Sequence, residues 1–133
     1  SYSLRNTGLT KLNEDIVVPR SKLLDLVEFA REMQDRTGIA IACFGHAGDG
    51  NIHTNLMVKD YENPEVREKA DHALDELFHW IIKSGGVITG EHGIGLAKKR
   101  WFADAVGEEA VSAHSALKLA MDPRGILNPG KFI

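Results

Sequence analysis

The chain has 133 residues, 43% of them hydrophobic and 26% charged, enough to bury the core of one ordinary globular domain spanning 1–133. A formal net charge of −3, with acids and bases interspersed, supplies no basic field for nucleic acid, and no apolar run approaches the roughly 18 residues of a transmembrane segment. The single cysteine, Cys43, excludes an internal disulfide and a multi-cysteine zinc site and fits a reducing, cytoplasmic setting.

Segment 1–11 has no clear periodicity and opens on serine with neither methionine nor a signal-peptide pattern, as expected of a cut or processed chain. Asp15-Ile16-Val17-Val18 reads as a short strand stopped by Pro19. From Ser21 to Arg36, Leu23, Leu24, Val27, Ala30 and Met33 recur at helical spacing, and Gly38 supplies the stop. Ile39–Phe44 and Asn51–Val58 are strand-like, with a glycine-rich turn between them. Asn63-Pro64-Glu65 is a helix start with a cap, a proline at the first position and an acid in the first turn; Val66, Ala70, Ala73, Leu77, Phe78 and Ile81 mark one face, and Gly85-Gly86 ends it. Val87-Ile88-Thr89 is a fourth short strand, and Ala110, Ala113, Leu117 and Ala120 stripe a last helix that stops before Asp122-Pro123. The order predicts an α+β chain: a ferredoxin-like βαββαβ two-layer sandwich with an antiparallel sheet and a C-terminal helical extension. Such a sheet carries helices on one face and leaves the other open.

The stretch FGHAGDGNIH, Phe44 to His53, puts dense polar chemistry at the end of an apolar strand. Asp49-Gly50 is a favoured two-residue hairpin turn, which sets His46 opposite His53. Opposed β-carbons lie about 5 Å apart, close enough for two imidazoles to share one metal ion. Alternation turns Ile39, Ile41, Cys43, Ile52, Leu56 and Val58 toward the helices, so His46, His53 and Asn55 point away. Ile88 takes the helix side of the fourth strand, which leaves Thr89 and Glu91 facing with the histidines. Two histidines and a carboxylate form a divalent-metal ligand set suited to Zn²⁺ or Mn²⁺. In a strict ferredoxin-like sheet the hairpin turn and the end of the fourth strand lie at opposite ends. Glu91 therefore reaches a shared ion only if the strands are short or the topology is modified.

The second dense stretch is GEHGIG, Gly90 to Gly95. Ionised Glu91 is an acceptor-only ligand, and His92 beside it has a pKa near neutrality that a metal or a carboxylate can tune. The glycines let the backbone approach a ligand closely.

Three stretches in this order, GHAGDGNIHTN (Gly45–Asn55), GGVITGEHGIG (Gly85–Gly95) and DPRGILNPGK (Asp122–Lys131), resemble the C-terminal domain of FAD-linked 2-hydroxyacid oxidases and dehydrogenases. That group includes the flavin subunit of glycolate oxidase, D-lactate dehydrogenase and D-2-hydroxyglutarate dehydrogenase. NEDIVVPRSKL and GGVITGEHGIG look closest to the first two. The resemblance implies that His46, His53 and Glu91 ligate a divalent metal, Zn or Mn, that His92 is the catalytic base taking the proton of the substrate hydroxyl, and that Asn55 lines the substrate site. Asn51 and Asp49 then belong to the motif's turn, while Lys98 and the Asn128–Lys131 ending match family positions without an assigned step. It implies FAD, bound mainly by an upstream domain absent from these residues, a small 2-hydroxyacid substrate giving a 2-oxo acid, and an electron-transfer subunit as a further partner, with a cytoplasmic location peripheral to the membrane through partner subunits. The family's substrate-carboxylate arginines lie upstream; Arg5 is not assigned to them, and Asn13 stands where some relatives have lysine. The chain alone is expected to hold no FAD and to be inactive.

Other residues read more plainly. His72, His79 and His114 read as surface or packing residues, Lys98-Lys99-Arg100 as a solvated face, Trp101 and Phe102 as core, and Cys43 as an inert buried thiol. Two further classes share parts of the pattern. A ferredoxin-like regulatory module binding a small molecule would not need His46, His53 and Glu91 on one face; a small metal-dependent hydrolase would share those ligands but work without flavin.

Overall fold

The computed structural model describes residues 8–131 and Ile133. In chain order they form β1 (Thr10–Val17), a 3-10 turn (Arg20–Lys22), α1 (Leu23–Thr37), β2 (Ala40–His46), β3 (Asn51–Val58), α2 (Pro64–Lys83), α3 (Lys99–Val106) and α4 (Glu108–Met121). The mixed α+β class with an antiparallel sheet is as expected. The patternless segment 1–11 is corrected at its end, because Thr10 and Lys11 open β1; Arg5 lies outside the described residues. The chain divides into two compact units, one ending at Gly90 and one beginning at Glu91.

The first unit is built on three antiparallel strands in the order β1-β3-β2. Val87 adds a single antiparallel bridge to Val17 on the free side of β1, with both main-chain hydrogen bonds made at 2.9 and 2.7 Å. That is the place of the fourth strand in a βαββαβ sheet, but the expected strand Val87–Thr89 is reduced to this one bridge. The cause is a competing acceptor. Three residues on, the amide of Gly90 donates to the side chain of Asp15 at 2.8 Å instead of continuing the main-chain ladder.

Burial explains the helices. In α1 Leu26, Ala30, Met33 and Thr37 are buried at helical spacing, and Gly38, at φ 68°, closes the helix through its amide to the Gln34 carbonyl at 2.8 Å. Gln34 Oε1 accepts from the amide of Ile41 at 2.9 Å, joining α1 to β2. In α2 Asn63 caps the first turn by accepting from the Glu65 amide at 3.0 Å, and Ala70, Ala73, Leu74, Leu77, Phe78 and Ile81 are buried. Each fully buried large side chain contributes roughly 1.5–3 kcal/mol relative to exposure. The two helices meet through Phe29 stacked on Trp80, with centroids 5.1 Å apart.

The hairpin has the expected parity and a different register. Ile41 pairs with Leu56 and Cys43 with Thr54, on the α1 side; His46, His53 and Asn55 share the opposite face. His46, however, stands opposite Asn51, and His53 opposite Phe44. The turn is four residues, Ala47–Gly50, with the Asp49 amide donating to the His46 carbonyl at 2.9 Å. A two-residue Asp49-Gly50 turn would need positive φ at both positions, whereas only Gly50 adopts it, at 74°. There a β-carbon would collide with the Val18 carbonyl oxygen, and the Gly50 carbonyl accepts from the Val18 amide at 3.0 Å. The shift is by two residues, so no side chain changes face.

In the second unit α4 spans the striped segment and ends before Asp122, but it buries none of its residues. The helix α3 was not anticipated. Trp101 and Phe102 are its buried residues, and the Phe102 ring meets the His114 ring edge-on at 5.3 Å. Lys98 corrects the solvated reading of its charge run: it is buried, while Lys99 and Arg100 are exposed. It immediately precedes the helix that buries the two aromatics. Arg100 lies over the Trp101 ring at 4.1 Å.

Candidate metal and substrate site

The site's framework is the sheet face shared by His46, Asn51, His53 and Asn55, with Asp15 from β1 directly opposite His53. His46 ends β2 and is exposed; His53 sits mid-sheet and is half-buried. Their register makes them diagonal rather than opposed neighbours, with β-carbons roughly 7–8 Å apart, still within reach of long side chains. The His53 ring packs against Phe44 across the strand pair, with centroids 5.5 Å apart.

Asn55 is fully buried. Its amide nitrogen donates to the carbonyls of Ala42, at 3.1 Å, and His53, at 3.2 Å, which fixes the backbone on which His53 is carried. Both Asn55 Oδ1 and Asn51 Oδ1 are buried with no hydrogen-bond partner among the described residues. Unpaired buried acceptors are costly in a folded protein and point to a missing donor or cation.

Asp15, which sequence reasoning passed over as part of an apolar strand, is fully buried on this same face. Its Oδ2 accepts from the Gly90 amide at 2.8 Å and from Thr89 Oγ1 at 3.2 Å. The signal for it was parity: a carboxylate inside a strand pattern, in phase with Val17 and out of phase with Ile16. Gly90 is held so closely that a β-carbon there would stand 2.8 Å from both Asn51 Oδ1 and Asp15 Oδ1. The chain thus leaves β1's edge after Val87 and lies against Asn51 and Asp15 by Gly90. Glu91 and His92 follow directly as the first residues of the second unit, both exposed.

Cys43 faces the other way. It lines a cavity with Val27, Ala30, Arg31 and Gln34 of α1, its Sγ lies 3.8 Å from Thr54 Oγ1, and burial pushes its thiol pKa up, with the Thr54 hydroxyl partly opposing. A raised thiol pKa makes it a poor nucleophile and a poor ligand at neutral pH. His72, His79 and His114 are exposed; His72 pairs with Glu76 at 3.0 Å.

Residues 2–132 match the family described as "FAD linked oxidases, C-terminal domain". The chain belongs to that family. Among curated relatives it is 42% identical over 123 residues to glycolate oxidase subunit GlcD of Bacillus subtilis, covering 92% of the chain and 26% of the relative. It is 38% identical over 118 residues to the mitochondrial D-lactate dehydrogenase [cytochrome] of Kluyveromyces lactis, covering 89% and 20%. The chain therefore spans a quarter or less of the length of some relatives and about a quarter of others. Among solved structures, a 4-ethylphenol oxidase from Gulosibacter chungangensis superposes with a TM-score of 0.68 at 19% identity, over 95% of this chain and 25% of that one; at that identity it is the fold that is shared. Among the described residues no helix is long and apolar enough to cross a membrane.

Proposed function

We propose that this chain is the metal- and base-bearing C-terminal domain of a flavin-dependent 2-hydroxyacid dehydrogenase or oxidase acting on glycolate or D-lactate. The observation that carries the reading is the Asp15–Gly90 hydrogen bond, which brings the residue preceding Glu91 onto the face that holds His46 and His53. The residues fit a divalent ion: imidazole nitrogens and a carboxylate form the donor set, and the unpaired Asn51 Oδ1 on the same face is a hard oxygen acceptor. The ligands would be His46, His53 and Glu91, and the ion Zn²⁺ or Mn²⁺.

When bound, the cation supplies Lewis acidity at the substrate's carboxylate and α-hydroxyl, and FAD, held mainly by sequence upstream of this chain, supplies the two-electron acceptor. His92 accepts the hydroxyl proton on a ring nitrogen, which lets the carbinol carbon become a carbonyl as its hydride leaves. Asn55 would line the substrate site from within the sheet, its Nδ2 holding the His53 strand through the Ala42 and His53 carbonyls. An electron-transfer subunit is the partner this reading expects, and attachment to a membrane surface would run through it.

The test pairs the 133-residue chain with the complete protein. The complete protein should contain flavin and a divalent ion and oxidise glycolate or D-lactate, losing that activity on chelation. The chain alone should bind the ion without flavin and without turnover. Full activity in a metal-stripped complete protein would sink the metal assignment, and hydrolytic turnover by the isolated chain would favour a metal-dependent hydrolase instead.

A further inference from the structure

We propose that Asp15 is a positioning residue for the metal site: it fixes Gly90, and with it the point from which the Glu91-His92 segment departs, on the face of His46 and His53. The inference rests on the metal-site reading above. Four observations carry it.

Asp15 is a fully buried carboxylate in the central part of the site face, directly opposite His53 in the β1–β3 register. A buried carboxylate is retained at a cost unless its oxygens are hydrogen-bonded. Its Oδ2 accepts from the main-chain amide of Gly90 and from the hydroxyl of Thr89, two consecutive residues immediately before Glu91, and hydrogen bonds to a charged acceptor are the stronger ones. Gly90 leaves no slack, since a β-carbon would press on Asn51 Oδ1 and Asp15 Oδ1 alike. Lastly, the β-ladder stops after Val87, and the main-chain amide of Gly90 pairs with this side chain instead of with a strand, while Thr89 adds its hydroxyl.

A carboxylate that orients a ligand-bearing segment without touching the ion acts as other outer partners of metal sites do, and loss of such a partner typically costs about 10–100-fold in metal affinity. The acceptor, rather than the charge, is what the geometry uses. Asn at this position can still accept from Gly90 and Thr89 through Oδ1, while its Nδ2 can donate to the unpaired Asn51 Oδ1. Leu keeps the volume and removes the acceptor.

The experiment is a titration of the metal-stripped complete protein with Zn²⁺ or Mn²⁺, in wild type, Asp15→Leu, Asp15→Asn and Thr89→Val, with Tm measured for each. Asp15→Leu should weaken binding by about 10–100-fold, Asp15→Asn should restore it to within about threefold of wild type, and Thr89→Val should fall between. Should Asp15→Leu fail to fold, Thr89→Val decides together with amide exchange of the wild type: weakened binding and a protected Gly90 amide support the assignment. A folded Asp15→Leu with wild-type affinity, an Asp15→Asn as weak as Asp15→Leu, or an unprotected Gly90 amide overturns it. No binding by wild type would overturn the metal-site reading and this inference together, whereas binding that ignores Asp15 overturns this inference alone.

Discussion

The two units divide their side chains differently. The residues up to Gly90 bury large apolar groups through both helices and the sheet, from Ile16 and Leu26 to Phe78 and Ile81. Among the described residues, those from Glu91 bury Trp101 and Phe102 as their large apolar residues and leave Leu96, Leu117, Leu119, Met121, Ile126 and Leu127 exposed. Glu91 and His92 open the unit with the smaller core. The buried core is therefore concentrated in one unit and the proposed proton chemistry in the other, and the first ends in the chain at Gly90, which Asp15 holds. Changes to the apolar core of the first unit should act on folding, and changes at Glu91 and His92 on metal or turnover with folding left alone.

The largest expected effect tests that division directly. In the complete protein His92→Asn should lower kcat by roughly 10²–10⁴-fold, the usual contribution of a positioned base, with metal content retained. Glu91→Gln should instead lower metal affinity, because a neutral amide does not supply the carboxylate's charge. Metal analysis, kcat and Tm on both variants separate the roles. A metal-free His92 variant beside a metal-replete Glu91 variant would reverse the assignment, and a large fall in Tm in either would break the division between the units.

Next comes the contrast between α2 and α4, two helices whose stripes look alike in sequence. Phe78→Ala should cost about 3–5 kcal/mol, because its side chain is fully buried and the space it leaves is enclosed. Leu117→Ala should stay within about 0.5 kcal/mol, its side chain being 63% exposed. Urea denaturation of both variants gives the comparison, and equal losses would show that α4 buries its stripe in solution.

These helices also show what was legible. Period alone located β3, Asn51–Val58, to the residue, and Asn63-Pro64 marked the start of α2 because cap and first-position chemistry are local. The stripe of α4 was equally visible, but periodicity says which face is apolar and not whether anything covers it. The hairpin parity survived a wrong turn, since replacing a two-residue by a four-residue connection moves the pairing by an even number. Its register did not, because the choice depends on Gly50 fitting against Val18, a contact distant in sequence. The same holds for Asp15. Nothing near it in the chain announces that its acceptors are Thr89 and Gly90, 74 and 75 residues away.

A smaller effect sharpens the stability side. Asn63 accepts from the Glu65 amide in the first turn of α2, and Asn63→Ala should cost about 1 kcal/mol, the usual worth of an N-cap. A Tm unchanged from wild type would mean that Pro64 and Glu65 suffice to start the helix.

The smallest effect belongs to the second unit and depends on pH. Asp122 is a buried side chain at the end of α4. It accepts from Lys118 Nζ, from the Ile126 amide at 3.1 Å and from the Leu127 amide at 2.9 Å. The Lys118 hydrogen bond first, then the Leu127 amide, hold its carboxyl below the ordinary carboxylate value, against the opposing effect of burial. A lowered folded pKa means that the charged form is favoured by folding, so the contribution is fully present above the ordinary value of about 3.9 and is lost as pH falls through the lowered one. Above pH 5 the Ile126 and Leu127 amides should exchange more slowly in wild type than in Asp122→Asn, after correction for intrinsic rates. The difference should shrink below about pH 3.9 as the carboxylate protonates. Because Lys118 also donates to the Leu127 carbonyl, Lys118→Met should remove part of the same protection at neutral pH. Protection of Ile126 and Leu127 that persists unchanged in Asp122→Asn at pH 7 would show that this turn is held by something other than the carboxylate.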